Sequence, residues 1–332
     1  MSKTTTAGTT LEHRIGPRGR FELRQASGDI LIRGVEGDTV RVTSLDDKSL
    51  SDVFDVEVGD DRVELHQRGG FDVGMRLFSR GSGTDLRVEV PHGASVSVDT
   101  GSADIDATDL SGEKEFRTAS GEVSLNRLAG VVQVETVSGD IQIDGAAPLD
   151  MTLKSVSGDI GVRVPSIRRL DLGTTSGDIR LDAELTGSGP FAMRSISGDA
   201  TIVGRMGFRV EAETITGDLS SDQPSKRESH PGRKVLIVGR PGPTLTFRSV
   251  SGDLHVSEPR DAAPRATANP AAEDTMEDDV TKRPAAGATE SREGEGKDAE
   301  DKRLEILRAL ERGDITVAEA TDQLASLDEV LR

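Results

Sequence analysis

Apolar and polar residues alternate in short runs along most of this chain, and each run breaks at a Ser-Gly-Asp turn. Around Gly139, Val132 and Val134 lead into the turn, and Ile141 and Ile143 follow it. Alternation of period two predicts strands with one buried face, and glycine between small polar residues predicts a tight bend at positive φ. Each unit is therefore predicted to be a strand, a bend and a second strand.

The turn recurs at a nearly constant interval. Successive glycines from Gly121 to Gly217 are 18, 19, 19, 21 and 19 residues apart, and the next step, to Gly252, is 35. We interpret the long step as one period plus an insertion over 221–234. A period near twenty is typical of a solenoid in which short strands stack into one narrow core. The predicted fold is all-β, a β-helix-like solenoid with coils of 19–21 residues. The predicted turn ladder consists of Gly121, Gly139, Gly158, Gly177, Gly198, Gly217 and Gly252, with Asp140, Asp159, Asp178, Asp199, Asp218 and Asp253.

Composition divides the chain into four predicted parts. Residues 1–10 are predicted to be a disordered N-terminus, 11–258 the solenoid, 259–299 a disordered linker rich in Ala, Pro, Glu, Asp and Thr, and 300–332 a helical hairpin. The apolar set of the hairpin is too small for an independent core, so we expect it to mediate self-association or docking to a protein partner. That set is Leu304, Leu307, Leu310, Leu324 and Leu327.

Charge and residue usage bear on function. The net charge of −18 argues against nucleic-acid binding, because phosphate-backbone binders need a basic surface. Five scattered histidines and the absence of cysteine predict no metal site and no cofactor, and no nucleophile or phosphate-loop motif is present. We therefore expect no enzymatic activity and identify no small-molecule substrate. No signal peptide or apolar run long enough to span a membrane is visible, so a cytoplasmic location is expected, with envelope association left open.

The aspartate ladder admits two interpretations. Carboxylates stacked about 5 Å apart could hold a cation or act as acid/base pairs, as in polysaccharide-cleaving β-helix enzymes. However, a catalytic pair is a local exception in a scaffold, whereas this aspartate recurs at nearly every turn. Repetition favours a structural role in which each carboxylate accepts backbone N–H groups.

One interruption, over 68–84, mixes apolar and basic residues in an otherwise acidic protein. It could dock on an anionic membrane surface or a partner, or it could fold over the first coils as a cap, and the cap is slightly favoured. The candidate contact residues are Phe71, Met75, Arg76, Leu77, Phe78 and Arg80.

The segment Leu86–Pro91 and the ladder from Ser120 to Asp253 resemble a family of bacterial β-strand-repeat proteins described as putative adhesins, a domain of unknown function. The tail from Leu304 to Ala320 resembles a short helical module called SHOCT-like, which in relatives is common at the other end of the chain. The resemblance implies a β-helix-like fold and an association with cell-envelope stress and surface interaction, and it implies no catalytic residues. We expect a non-enzymatic interaction scaffold. The alternatives are a surface adhesin or carbohydrate-binding stalk and, less favoured, a polysaccharide-active enzyme.

Overall fold

The computed structural model describes residues 5–68, 83–205, 207–230, 233–240 and 242–259, and it confirms an all-β solenoid. The N-terminal strands are β1 (Thr5–Ala7), β2 (Thr10–Arg14), β3 (Arg20–Ser27), β4 (Ile30–Val35), β5 (Thr39–Ser44), β6 (Phe54–Val58) and β7 (Arg62–Gln67), with one short helix, α1 (Leu50–Val53). The central strands are β8 (Leu86–Pro91), β9 (Ser95–Ser102), β10 (Ile105–Thr108), β11 (Lys114–Ser120), β12 (Val123–Ser138), β13 (Ile141–Ser157), β14 (Ile160–Ser176), β15 (Ile179–Leu185), β16 (Phe191–Ser197) and β17 (Ala200–Val203). The C-terminal strands are β18 (Phe208–Thr214), β19 (Leu219–Ser221), β20 (Ser225–His230), β21 (Arg233–Val238), β22 (Thr244–Ser251) and β23 (Leu254–Ser257).

Neighbouring coils pair in parallel and in register on both sides of the Ser-Gly-Asp bend, which we call the corner. We call the strands that lead into the corner the first face and the strands that follow it the second face. On the first face, Val134 of β12 lies opposite Leu153 of β13, which lies opposite Leu172 of β14. On the second face, Ile141 lies opposite Ile160 in the same way. Register is kept because a slip of one residue would turn every apolar side chain outward.

The core is a thin column of aliphatic and phenylalanine side chains stacked from coil to coil. Such a column needs no large aromatic residue, and the sequence has no Trp or Tyr. Because neighbouring strands lie about 4.8 Å apart, each side chain contacts its equivalents directly above and below. One inward row, at most 1 % exposed throughout, consists of Leu65, Leu23, Val98, Phe116, Val134, Leu153, Leu172, Met193, Phe247 and Ala212.

The order of the coils in space differs from their order in sequence at both ends. At the C-terminal end, β22 pairs with β16 and β18, and β23 pairs with β17 and β19. The coil over 244–257 therefore lies between those over 191–203 and 208–221. At the N-terminal end, the coil formed by β3 and β4 likewise lies between β7 with β8 and β9 with β10. The long 35-residue step is thus a return of the chain into the stack.

Antiparallel strands cover both ends. At the N-terminal end, β6 and β7 form a hairpin across residues 59–61, with Val58 opposite Val63. At the C-terminal end, β20, which lies in the insertion over 221–234, forms a hairpin with β21, and β21 also pairs with β18. Residues 5–10 differ from the expected disordered N-terminus, because β1 pairs with β2 and β2 pairs with β5, which satisfies the backbone of this segment.

Two predicted parts of the chain fall outside the description. The segment 259–299, apart from its first residue, and the hairpin 300–332 lie beyond the described residues. Within the described ranges, no helix is long and apolar enough to cross a bilayer.

Candidate interaction surface

The corner is built on glycine for two separate reasons. Gly158 has a φ of 138°, and its N–H donates to the carbonyl of Ser176 in the next coil at 3.2 Å. A Cβ added there would overlap the carbonyl oxygen of Gly139 in the preceding coil. Positive φ and the same close approach are shared by Gly121, Gly139, Gly158, Gly177, Gly198 and Gly252.

Gly217 departs from the expected geometry. Its φ lies outside the left-handed range that the other ladder glycines adopt, although a Cβ would still overlap the Gly252 carbonyl. Gly217 lies in the outermost coil, so its N–H has no next-coil carbonyl and donates to the Thr214 hydroxyl at 3.0 Å instead. The glycine N–H of the last corner is therefore satisfied within its own coil.

The ladder aspartates link successive coils through the backbone. Asp140 Oδ1 accepts the N–H of Asp159 at 2.8 Å, and Asp159 Oδ1 accepts that of Asp178 at 2.8 Å. The same bond continues from Asp178 to Asp199, from Asp199 to Asp253 and from Asp253 to Asp218. Each bond ties one coil to the next. Among the described residues, no group of three His, Asp or Glu side chains is arranged to hold a metal ion.

The ladder extends further toward the N-terminal end than the predicted set. Asp85 Oδ1 accepts the N–H of Asp29 at 2.9 Å, and Asp104 Oδ1 accepts that of Glu122 at 2.8 Å. Ala103 occupies the glycine position in the coil of Asp104. Asp85 was missed because no Ser-Gly precedes it, although Asp85-Leu86 matches the aspartate-apolar part of the repeat.

On the outer surface of the first face, charges alternate in sign from coil to coil. Arg24 contacts Asp99 at 3.4 Å, Asp99 contacts Arg117 at 3.4 Å, Arg117 contacts Glu135 at 3.5 Å, and Glu135 contacts Lys154 at 3.0 Å. Burial opposes the charge of Arg117, but the neighbouring carboxylates outweigh it and raise the pKa of Arg117. Pairs this exposed contribute little stability individually, so the row mainly presents an ordered, mixed-charge surface.

A second outward row lies at the corner, between the two hydroxyl residues of each repeat. Most of its members are small or covered, and Val156 is only 3 % exposed. At the C-terminal end, Val250 is 37 % and Ile215 57 % exposed, and Ile196 is half-buried beside them. We call Ile196, Val250 and Ile215 the corner patch. In stacking order the full row is Ala26, Gly101, Ala119, Val137, Val156, Thr175, Ile196, Val250 and Ile215.

Inside the corner runs a row of buried polar side chains. Gln25 bonds the carbonyl of Gly28 at 2.7 Å, and the Thr118 hydroxyl donates to the carbonyl of Ser120 at 2.8 Å. Five other hydroxyls of the row find no hydrogen-bond partner among the described residues: Thr100, Thr136, Ser155, Thr174 and Ser249. A buried hydroxyl without a hydrogen-bond partner lowers the stability of the folded state.

Lys114 is a charged residue within the apolar core. It lies between Val96 and Val132 in the parallel register, is 1 % exposed, and donates to the carbonyl of Ala129. Burial lowers the pKa of Lys114 to about 8. The sequence pattern gave no signal for a core lysine, because polar residues before a strand usually belong to a loop.

The two other predicted sets cannot be placed. Phe71, Met75, Arg76, Leu77, Phe78 and Arg80 lie outside the described residues, as do Leu304, Leu307, Leu310, Leu324 and Leu327. The attachment points of the first set are described: β7 ends at Gln67 and β8 begins at Leu86. The insertion therefore leaves and re-enters at the corner of the outermost N-terminal coil.

Solved structures to which this chain is similar include a putative adhesin from Bacteroides fragilis (14% identity, covering 76% of this chain and 98% of that chain, TM-score 0.42). Others are a putative lipid binding protein (12%, 74% and 96%, 0.40) and a putative adhesin (15%, 76% and 97%, 0.32), both from Parabacteroides distasonis. No curated protein matches the sequence. Residues 19–257 match the family described as Toastrack DUF4097, and this match spans well over half of the sequence. The chain belongs to the Toastrack DUF4097 family, a domain of unknown function.

Proposed function

We propose that this protein is a non-enzymatic interaction scaffold that binds a protein partner or a second copy of itself. The observation that carries the proposal is the register of the outward rows. Charged side chains from Arg24 to Lys154 and the corner row repeat at each coil, about 4.8 Å apart, on a parallel stack that stays in register. Extended, regularly spaced surfaces of this kind suit a macromolecular partner.

The carboxylates that first suggested chemistry have structural partners instead. Asp140, Asp159 and Asp178 each accept a backbone N–H of the next coil. A carboxylate engaged in this way at most corners supports a scaffold rather than a row of acid/base catalysts. These backbone hydrogen bonds make the enzymatic alternative the least favoured of the three.

In the proposal, residues 300–332 supply the second contact of the scaffold through self-association or partner docking. The support is the leucine spacing of the tail and its resemblance to the SHOCT-like module. The proposal also includes a cytoplasmic location and a link to cell-envelope stress, which is supported by the family resemblance of the ladder and the tail.

The test is capture of partners from the native cell by the full-length protein and by Leu307→Asp with Leu310→Asp. The proposal expects the double variant to lose partners or self-association, since charge at these positions removes the apolar face of the tail. The matched control is Thr321→Asp with Ser326→Asp, which adds the same two charges at polar positions of the tail. Identical partners and sedimentation for all three forms would contradict the role of the tail.

Two further outcomes separate the alternatives. Protease shaving of intact cells that removes the protein would favour a surface adhesin over a cytoplasmic scaffold. Binding of the full-length protein to anionic vesicles, lost in Phe71→Asp with Phe78→Asp, would make the membrane the partner.

A further inference from the structure

Within the corner row, Val250 and Ile215 of the corner patch are the large apolar side chains that are exposed, and Ile196 beside them is half-buried. Ile196, Val250 and Ile215 lie in three consecutive coils of the stack and all point outward. Equivalent positions in other coils hold small residues such as Gly101 and Ala119, the covered side chain of Val156 or the half-buried side chain of Val137. The apolar surface is therefore local to one end of the solenoid.

Polar groups border the corner patch on both sides. Two residues before each member stands an outward charged residue, with Arg194 paired to Asp171 at 2.5 Å and Arg248 paired to Glu213 at 3.0 Å. On the other side, Ser197 and Ser251 are exposed. An apolar centre with a polar rim is the usual arrangement of a protein contact surface.

The C-terminal tail of the chain is attached close to the corner patch. The described chain ends at Pro259, just after β23, in the same coil that carries Val250. Val250 and Ser257 are seven residues apart, at most about 25 Å. The 44 residues over 260–303 would span about 35–40 Å as a flexible chain. Residues 300–332 can therefore reach the patch at a high effective concentration.

The spacing of the tail leucines fits the spacing of the patch. In a helix, Leu304, Leu307 and Leu310 would be separated by about 4.5 Å along the axis at each step. The three members of the corner patch are separated by one coil each, about 4.8 Å. Each three-residue step also turns the direction of the side chain by about 60°, so the three leucines form one apolar stripe about 120° wide. A single helix laid along the corner would face this stripe toward Val250 and Ile215, with the half-buried Ile196 beside them.

We propose that residues 300–332 fold back onto their own solenoid and dock Leu304, Leu307 and Leu310 on the corner patch. This inference rests on the proposed function, in which the tail is the docking element, and it names the surface that the tail occupies. A partner that binds the tail must then compete with the corner patch, so the intramolecular contact would regulate partner binding.

The natural absence of cysteine allows a direct test in the full-length protein. Ile215→Cys with Leu307→Cys should form an intramolecular disulfide under mild oxidation. The matched control is Leu31→Cys with Leu307→Cys, because Leu31 is also exposed, at 39 %, but lies near the opposite end of the stack. We expect the corner pair to cross-link at least about tenfold faster than the control. Equal rates, or disulfides only between two copies, would overturn the proposal.

A second measurement avoids new cysteines. Hydrogen exchange of full-length protein should show protected amides over 300–332, and Val250→Asp with Ile215→Asp should remove this protection while leaving the solenoid protected. Leu31→Asp should leave it unchanged. Protection that survives the corner variant, or is absent from the unsubstituted protein, would overturn the proposal. If the cross-link fails but partner capture still depends on the tail, the inference falls and the proposed function stands. If the cross-link forms but partner capture does not depend on the tail, the docking of the tail stands and its role in the proposed function falls.

Discussion

Arg127 and Asp109 face each other on adjacent coils, and both have left-handed backbone conformations. The φ angles are 52° for Arg127 and 62° for Asp109. The Arg127 guanidinium binds both carboxylate oxygens of Asp109, with Nε–Oδ1 at 2.7 Å and Nη2–Oδ2 at 2.6 Å. This hydrogen bonding lowers the pKa of Asp109. An ion pair with two hydrogen bonds thus joins two residues whose left-handed backbone conformation is rare for residues other than glycine.

The first prediction separates backbone strain from the ion pair at Arg127. Arg127→Gly and Arg127→Ala both lose the ion pair, but only glycine adopts the observed φ without steric cost. We expect the glycine variant to be more stable than the alanine variant by about 1 kcal/mol, measured by urea unfolding. An alanine variant as stable as the glycine variant would show that Arg127 is not strained.

The second prediction concerns the corner ladder. Gly158→Val should destabilise the solenoid by a few kcal/mol or more, because the new side chain meets the Gly139 carbonyl at an unfavourable φ. Asp159→Asn should cost much less, since an amide oxygen can still accept the N–H of Asp178. Thermal melting of both variants is the measurement. An unchanged melting temperature for Gly158→Val would contradict the turn geometry.

The third prediction tests the buried hydroxyl row with two substitutions in adjacent coils. Thr136→Val removes a buried hydroxyl that has no partner among the described residues, and it should raise the free energy of unfolding by up to about 1 kcal/mol. Thr118→Val removes a hydroxyl bonded to the Ser120 carbonyl and should lower that free energy by about 1 kcal/mol. Equal losses in both variants would mean that Thr136 is hydrogen-bonded in solution.

The fourth prediction uses the pH dependence of stability at Lys114. Its pKa in the folded chain, about 8, is below the ordinary value of 10.5, so the unfolded chain binds more protons between these two values. The free energy of unfolding therefore rises with pH from about 8 to 10.5. Below pH 8 the buried charge of Lys114 lowers it by about 3 kcal/mol.

Lys114→Met should accordingly be more stable than the unsubstituted protein at pH 7, and this advantage should shrink toward pH 10. Urea unfolding across that range is the measurement, with Lys154→Met as the control because Lys154 is 48% exposed in the outer charged row. An advantage of Lys114→Met that stays constant with pH would show that folding does not lower the pKa of Lys114.

The periodic part of the fold could be predicted because each coil repeats the same short pattern of alternating apolar residues and a Ser-Gly-Asp turn. Gly139, Gly158 and Gly177 mark corners that repeat in register, and the alternating residues around them form the core. The stacking position of Gly252 could not be predicted in this way, since residue spacing measures distance along the chain and not neighbourhood in space. Gly252 packs against Gly198 rather than following Gly217.

The surface was harder to predict than the core. The exposed side chains of Val250 and Ile215 occupy a position that also holds covered residues such as Val156 in other repeats. Sequence alone does not show which coils are neighbours in space, and exposure at the corner depends on the side chains of those neighbours. For the same reason Lys114 could not be recognised as a core residue until β11 was placed between β9 and β12.

The return of the coil over 244–257 into the stack constrains how such a protein can be synthesised and how its length can evolve. On a ribosome, β18 and β19 emerge before the coil that must enter beneath them, so the C-terminal end can close only after residue 257 has left the exit tunnel. At the N-terminal end, by contrast, the middle coil of β3 and β4 emerges first, and the coils of β7 with β8 and of β9 with β10 add to its two sides. A coil added at either end would have to displace the antiparallel strands that pair with the outermost coil. Duplication of one coil in the middle, between β12 and β15, would leave both ends intact.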